Sequence, residues 1–363
     1  FAWGSIGFVA NKFGGDAKQQ TLGMTLGAFV FALIVFLFRM PTLTWQIFLI
    51  GFIGGLLWAI GQFGQFNSMK YMGVSVASPL SSGSQLVIGG LIGVFAFHEW
   101  TKQIQFILGF IAMAVLVVGF YFSAKRDPEN AVVEEGRNYT KGLTALTYST
   151  LGYVIYVILF NNLAVIWFNV HFDTLTIILP MSVGMIFGAL VMGRFKIKME
   201  KYVYQNMIVG AMWGVGNIFM LMAASAAGNA IAFSFSQLGV IISTIGGILF
   251  LGEKKTKKEL VYVGIGIVIT SLISIFVNNK IVNIVLSVIN IIAGVCVHLI
   301  PNKIIKISVG IGKDGAPRFM GYCMKDTMEC IKHHTFTIVS ILGIAVSIIS
   351  IMYLIYIFIK REN

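Results

Sequence analysis

Aromatic, amide and hydroxyl side chains recur at helical spacing inside the most apolar stretches of this chain. Trp58, Gln62 and Gln65 are spaced i, i+4 and i+7, so a helix places them on one face. Amides both donate and accept hydrogen bonds, and a flat aromatic ring can stack on the apolar face of a cyclic ligand. The pattern therefore favours binding of a neutral, hydroxyl-rich molecule. The candidate binding residues are Trp58, Gln62, Gln65, Ser81, Gln85, Tyr153, Trp213, Asn217, Ser236 and Gln237.

The same side chains also have a purely structural interpretation, because amides often join neighbouring helices in membrane bundles. The Trp58–Gln62 pair recurs as Trp213–Asn217, 155 residues later, and this recurrence favours ligand binding for the two pairs. Pro79 lies beside the polar residues of its own segment. It is the candidate hinge, because proline interrupts helical hydrogen bonding.

The composition indicates which class of protein must position these residues. The 363 residues are 57% hydrophobic and 11% charged, with a mean hydropathy of +0.88. Soluble domains carry about 25% charged residues, so this chain cannot cover a water-facing surface. Regular ten-residue stretches of alternating polarity are missing, which favours a helical bundle over a membrane barrel. We therefore expect a multi-pass protein whose surroundings are the lipid bilayer.

Apolar segments form two sets of five, joined by a polar linker at residues 125–141 that is predicted to be cytoplasmic. One five-helix repeat is expected at 1–124 and a second at 142–277. The offset of 155 residues also pairs Ser81 with Ser236. Since five is an odd number of spans, the two copies must have opposite orientations, as in secondary transporters. The predicted fold is an all-α, ten-helix bundle of two inverted five-helix repeats, followed by a C-terminal two-helix hairpin.

The net charge of +12 is explained by the loops between these segments. Fifteen Lys and Arg residues lie in the odd-numbered loops of the ten-segment unit, and only Arg39 and Lys102 lie in the even-numbered loops. Because basic residues favour cytoplasmic loops, the odd-numbered loops are predicted to be cytoplasmic. The charge is therefore a topology signal, and nucleic acid is not expected as a partner.

Several motifs of the ten-segment unit belong together: Trp3-Gly4-Ser5, the glycine-rich run from Gly54 to Gln62, the serine-rich run from Gly73 to Gln85, Ser149 to Tyr153, His98-Glu99 and Gly252-Glu253. With these motifs, residues 1–277 resemble the bacterial glucose/ribose uptake permeases of the drug/metabolite transporter superfamily. The resemblance implies a fold of two inverted five-helix repeats and sugar uptake coupled to protons.

Acidic residues give little independent support for proton coupling. Glu99 and Glu253 lie at helix ends, where capping is the simpler role, and no carboxylate lies deep in any of the ten segments. Since proton-coupled carriers use a titratable group within the membrane, the coupling rests on the resemblance alone. Facilitated diffusion stays open.

Residues 278–363 fall outside the resemblance and form a predicted two-helix module with a polar segment rich in Cys and His. The module is either a natural addition or a fused second membrane protein. Cys323 and Cys330 are a candidate disulfide if the segment faces outside, whereas their spacing is wider than that of structural zinc sites, so no metal is expected. The first apolar segment has about 12 residues before Lys12, so part of that helix is expected to be missing.

The leading hypothesis is a secondary transporter that imports a neutral, glucose-like sugar across the bacterial cytoplasmic membrane by alternating access. The alternatives are a carrier of another small metabolite or drug, or a transporter unit that serves as scaffold for the C-terminal module. The apolar segments contain no nucleophile elbow, paired carboxylates or metal-ligand cluster. We therefore expect neither an enzyme nor a cofactor.

Overall fold

All secondary structure in the described part of the chain is helical. A computed structural model describes residues 2–96, 98, 100–101, 103–127, 137–164, 169–170, 172, 174–227, 236 and 239–271. The helices are α1 (Ala2–Phe13), α2 (Ala17–Arg39), α3 (Trp45–Met72), α4 (Val74–Ala96), α5 (Gln103–Ala124), α6 (Tyr139–Ile158), α7 (Thr174–Met192), α8 (Lys201–Ala227), α9 (Gly239–Phe250) and α10 (Lys257–Ser271). A π-helical turn, Leu159–Leu163, extends α6.

Five helices among the described residues are long and apolar enough to cross a membrane by themselves. They lie within α2, α3, α4, α5 and α7, and α9 is a shorter apolar helix. α6 falls short of the same hydropathy because its sequence carries Thr, Ser and Tyr side chains along most of its length. The polar residues of α6 include those that face the candidate site described below, so its lower hydropathy has a structural reason.

Helix starts follow local capping rules. Asp16 begins α2 as a capping box: its carboxylate accepts a hydrogen bond from the Gln19 amide at 2.9 Å, and the Gln19 side chain accepts one from the Asp16 amide at 3.1 Å. Gly14 and Gly15 precede it, both with φ of +86°, a conformation that glycine adopts without strain. The tight α1–α2 turn is thus encoded by three consecutive positions, Gly14 to Asp16, together with Gln19.

The chain forms two compact units. The first contains the described residues within 1–109 and 133–254, and therefore α1 to α4 and α6 to α9. The second contains those within 110–132 and 255–363. In the second unit, Glu259 is fully buried at the start of α10, where it pairs with the Arg126 guanidinium at 2.8 Å and accepts from the Asp127 amide at 3.0 Å.

The α2–α8 and α3–α7 pairs of the first unit pack backbone against backbone. A methyl group added to Gly27 of α2 would collide with the Met207 carbonyl of α8, and one added to Gly210 would collide with the Met24 carbonyl. The α3–α7 pair repeats this arrangement between Gly55 and the Met181 carbonyl. Gly184 of α7 likewise faces the Phe52 carbonyl of α3. Small residues allow this approach, which in lipid replaces hydrophobic burial as a driving force for helix association.

The tight α3–α7 contact predicts that even one added carbon destabilises the fold. In Gly184→Ala the new methyl group has no room beside the Phe52 carbonyl, so we expect a loss of about 1–3 kcal/mol in unfolding free energy. Gly89→Ala on α4 is the matched control, because a methyl group there meets nothing within 4 Å. Denaturant unfolding of the two purified variants in micelles measures the difference, and equal stabilities would contradict the packing described above.

Candidate substrate site

Five uncharged polar side chains from α3, α4 and α6 form a continuous hydrogen-bonded network. The Tyr153 hydroxyl of α6 lies 2.8 Å from Gln62 Oε1 and 3.0 Å from Gln65 Oε1, both on α3. Gln65 Nε2 donates to the Ser81 hydroxyl of α4 at 3.2 Å, and Gln85 Nε2 donates to the same oxygen at 2.9 Å. We call Gln62, Tyr153, Gln65, Ser81 and Gln85 the amide–hydroxyl chain.

The amide–hydroxyl chain has unmet hydrogen-bonding capacity at its buried end. A tyrosine hydroxyl carries one proton, so it cannot donate fully to the oxygens of both Gln62 and Gln65. Gln62 is 2% exposed, and its Nε2 has no partner among the described residues. Leaving a buried donor unpaired costs about 1–3 kcal/mol. A ligand oxygen at this position would accept from Gln62 and remove that cost.

Two tryptophans from different helices meet beside the amide–hydroxyl chain. The ring centroids of Trp58 on α3 and Trp213 on α8 are 5.3 Å apart, and Trp58 also meets Tyr153 edge-on at 6.1 Å. Both indoles are buried. Trp3 of α1 is linked to this pair, because its Nε1 donates a hydrogen bond to the Trp213 backbone carbonyl at 3.2 Å. The site therefore has an aromatic wall of two mutually tilted indoles next to buried polar groups.

Close packing of α3 against α6 sets this geometry. A methyl group on Gly61 would meet the Tyr153 ring at 2.8 Å, and one on Gly152 would meet the Gly61 backbone nitrogen at 2.6 Å. The Ser149 hydroxyl donates to the Gly61 carbonyl at 2.6 Å. The glycines thus let α6 come near enough for the Tyr153 hydroxyl to reach both glutamines of α3.

The structure brings together seven of the candidate binding residues, namely Trp58, Gln62, Gln65, Ser81, Gln85, Tyr153 and Trp213. Asn217 is half-buried, and its amide donates to the Trp213 carbonyl of its own helix at 2.8 Å. Ser236 is described as a half-buried helical residue, and Gln237 lies outside the described residues.

Other predicted features have different outcomes. Pro79 lies buried inside α4, which continues through it, so its role as a hinge stays a prediction. Cys323, Cys330 and the C-terminal module lie outside the described residues.

Trp3 was not among the binding residues predicted from the sequence. A tryptophan in the opening motif could have indicated a functional role. Local sequence spacing, however, does not connect Trp3 with Trp213, which lies 210 positions away.

The family follows from a comparison with known proteins. Residues 1–297 match the model of a family described as "Sugar transport protein". The chain belongs to this sugar transport family. This member is accordingly a multi-pass protein of the cell membrane, consistent with its apolar helices. The model of a domain of unknown function (DUF4418) matches residues 254–356 and overlaps the first match.

Relatives of this sugar transport family member have closely similar sequences. A Lactococcus lactis subsp. lactis (strain IL1403) protein named "Putative sugar uptake protein YxfA" is 99% identical over 269 residues, which are 74% of this chain and 91% of that protein. A Streptococcus pyogenes serotype M1 protein, "Putative sugar uptake protein/M5005_Spy1856", is 60% identical over 268 residues, 74% of this chain and 91% of the relative. "Putative sugar uptake protein SAG2157" of Streptococcus agalactiae serotype V (strain ATCC BAA-611 / 2603 V/R) is 59% identical over 267 residues, 74% of this chain and 91% of the relative.

Proposed function

We propose that the chain imports a neutral, glucose-like sugar across the bacterial cytoplasmic membrane by alternating access, in symport with protons. The observation that carries the choice of ligand is the unpaired Gln62 amide beside the Trp58–Trp213 pair. A sugar presents hydroxyl oxygens that accept hydrogen bonds and an apolar ring face that stacks on an indole. Every member of the amide–hydroxyl chain is uncharged, which suits a ligand without charge.

Contacts between the halves support the inverted repeat that this mechanism uses. An offset of 155 residues maps Phe52 to Met207 and Gly55 to Gly210, and an offset of 157 maps Gly27 to Gly184. The contact of Gly27 with the Met207 carbonyl thus corresponds to that of Gly184 with the Phe52 carbonyl. A pseudo-two-fold axis relating the halves accounts for this match, and the odd number of helices per half makes the repeat inverted.

Uptake by the purified full chain in liposomes tests the proposal. We expect saturable, time-dependent uptake of labelled glucose above that of protein-free liposomes, with faster uptake when the outside is more acidic. Unlabelled hexoses and pentoses should compete. Uptake that is insensitive to the proton gradient would replace symport by facilitated diffusion. If no sugar is taken up or competes, sugar import is wrong and a carrier of another metabolite or drug becomes the better hypothesis.

A further inference from the structure

Glu253, in the turn after α9, binds the beginning of α4, which is 179 residues away in sequence. Its Oε1 accepts from the Val74 amide at 2.5 Å, and its Oε2 accepts from the Ser75 amide at 3.0 Å and from the Ser75 hydroxyl. Backbone amides at a helix start lack partners within the helix, and hydrogen bonds to a carboxylate are about twice as strong as neutral ones. This contact is therefore a strong link between α4 and the end of α9.

A second link joins the same helices one turn further along α4. The hydroxyls of Ser78 on α4 and Ser243 on α9 are 2.7 Å apart, and both side chains are buried. At Gly247, between the two links, an added methyl group would lie 3.1 Å from the Ser75 backbone nitrogen. We call Glu253, Ser75, Ser78 and Ser243 the α4–α9 latch.

The helices of the first unit pack in two groups that do not coincide with the sequence repeats. α2 packs along α8, and α1 packs against α8 and α9, whereas α3 packs along α6 and α7 and α4 packs against α6. Across the groups, α2 also packs against α7, and α4 packs against α9 at least as closely as against α6. The closest glycine contacts, those of α2 with α8 and of α3 with α6 and α7, lie within one group or the other, whereas Gly247 of α9 approaches Ser75 of α4 across the groups. Rocking one sequence repeat against the other would break both glycine-lined pairs, while moving the group α1, α2, α8, α9 against α3, α4, α6, α7 preserves them.

These groups meet at the candidate site and at the latch. Trp58 belongs to one group and Trp213 to the other, so a ligand that lies against both indoles contacts both groups. The groups also meet through apolar side chains of α2 and α7, such as Leu22 and Ala189 in one buried cluster. Apolar contacts tolerate sliding, whereas the latch is held by directional hydrogen bonds that have to break when the groups separate.

The charge distribution predicts that the latch lies at the cytoplasmic side of the membrane. Lys70 precedes the latch at the end of α3, and Lys254 follows Glu253 directly. Both lie in loops predicted to be cytoplasmic. We propose that the α4–α9 latch is the cytoplasmic gate of the sugar pathway, closed in this structure, and that it opens by separation of the two helix groups. The inference rests on the proposed transport function.

A reversible cross-link tests whether the latch must open. In a chain whose three native cysteines are replaced by serine, Ser78→Cys with Ser243→Cys places two thiols where the hydroxyls are 2.7 Å apart, near the disulfide bond length of about 2.0 Å. We expect oxidation to reduce sugar uptake at least tenfold and a reductant to restore it. Ser84→Cys with Thr150→Cys is the control, since those hydroxyls are 2.9 Å apart within one group. Its disulfide should leave uptake within twofold.

Full uptake in the presence of a verified Ser78→Cys/Ser243→Cys disulfide would overturn the proposal that the α4–α9 latch is a gate. If the uncross-linked parent takes up no sugar, the transport proposal fails instead, and a labelling experiment then tests the latch. Ser82→Cys, half-buried on α4 beyond the latch, should react at least fivefold faster with an impermeant maleimide from the cytoplasmic side when Glu253→Ala is added. Glu200→Ala, an exposed glutamate, should have no such effect. Equal rates for the two variants would contradict the latch.

Discussion

Gln62→Leu raises the sugar concentration for half-maximal uptake by about fivefold to a hundredfold, while the protein still folds. The leucine removes the unpaired buried amide that we expect to donate to a sugar hydroxyl. In the variant, that hydroxyl enters a buried position and loses the Gln62 amide as a partner, at a cost of about 1–3 kcal/mol. About 1.4 kcal/mol corresponds to a tenfold change in affinity. Concentration-dependent uptake in proteoliposomes measures the effect.

Asn67→Leu is the matched control for Gln62→Leu, because it also exchanges an amide for leucine on α3. The Asn67 amide donates to the Tyr148 hydroxyl at 3.3 Å and takes no part in the amide–hydroxyl chain. The control should change half-saturation by less than about threefold, within the range of a single structural hydrogen bond. Similar shifts in both variants would mean that Gln62 joins helices and does not bind the ligand.

Trp58→Ala and Trp213→Ala are expected to reduce uptake efficiency by about thirtyfold or more each, since buried tryptophans at binding sites contribute about 2 kcal/mol or more. Because the two rings are in contact at 5.3 Å, the double variant should lose less than the product of the single effects. The ratio of maximal uptake rate to half-saturation concentration measures all three.

Trp45→Ala provides the comparison for the tryptophan variants. Trp45 is 70% exposed at the start of α3 and stacks on Phe48 of the same helix, with ring centroids 5.7 Å apart. Its removal should leave uptake efficiency within about threefold, because exposed substitutions away from buried features have small effects. Multiplicative losses at Trp58 and Trp213, or an equal loss at Trp45, would contradict a shared sugar-binding wall.

Helical periodicity was sufficient to group the α3 residues of the site. The i, i+4, i+7 spacing of Trp58, Gln62 and Gln65 needs only a regular helix, and α3 is one over Trp45–Met72. The recurrence at Trp213 pointed to a residue that does contact Trp58. The shared helix face and the Trp58–Trp213 contact follow from regular helix geometry and from the recurrence of one motif. That these residues bind a sugar stays a prediction.

The predicted repeat was less informative about hydrogen bonds than about which residues meet. The repeat pairs Gln62 with Asn217, but the asparagine side chain is one methylene shorter and bonds to the carbonyl four residues back in its own helix. Tyr153 has no sequence spacing that connects it with Gln62, 91 residues earlier. Such long-range pairings depend on helix crossing angles, which local patterns do not determine.

The predicted domain limits near residues 124, 141 and 278 stay predictions. The two family matches cover residues 1–297 and 254–356, so they overlap over residues 254–297. The compact units of the structure change within α5, between residues 132 and 133, and after Lys254. Apolar helices of one membrane protein resemble those of another in composition, so hydropathy marks membrane spans but carries little information about domain boundaries.

Equilibrium binding of labelled glucose to the purified full chain tests the site most directly, because it separates recognition from transport. The account predicts saturable binding of about one sugar per chain, as expected for a single site between the repeats. Binding should weaken at least about fivefold in Gln62→Leu and at least about tenfold in Trp213→Ala, and stay near the parent value in Asn67→Leu. Undiminished glucose binding in both Gln62→Leu and Trp213→Ala would contradict the central claim that the sugar lies between α3 and α8.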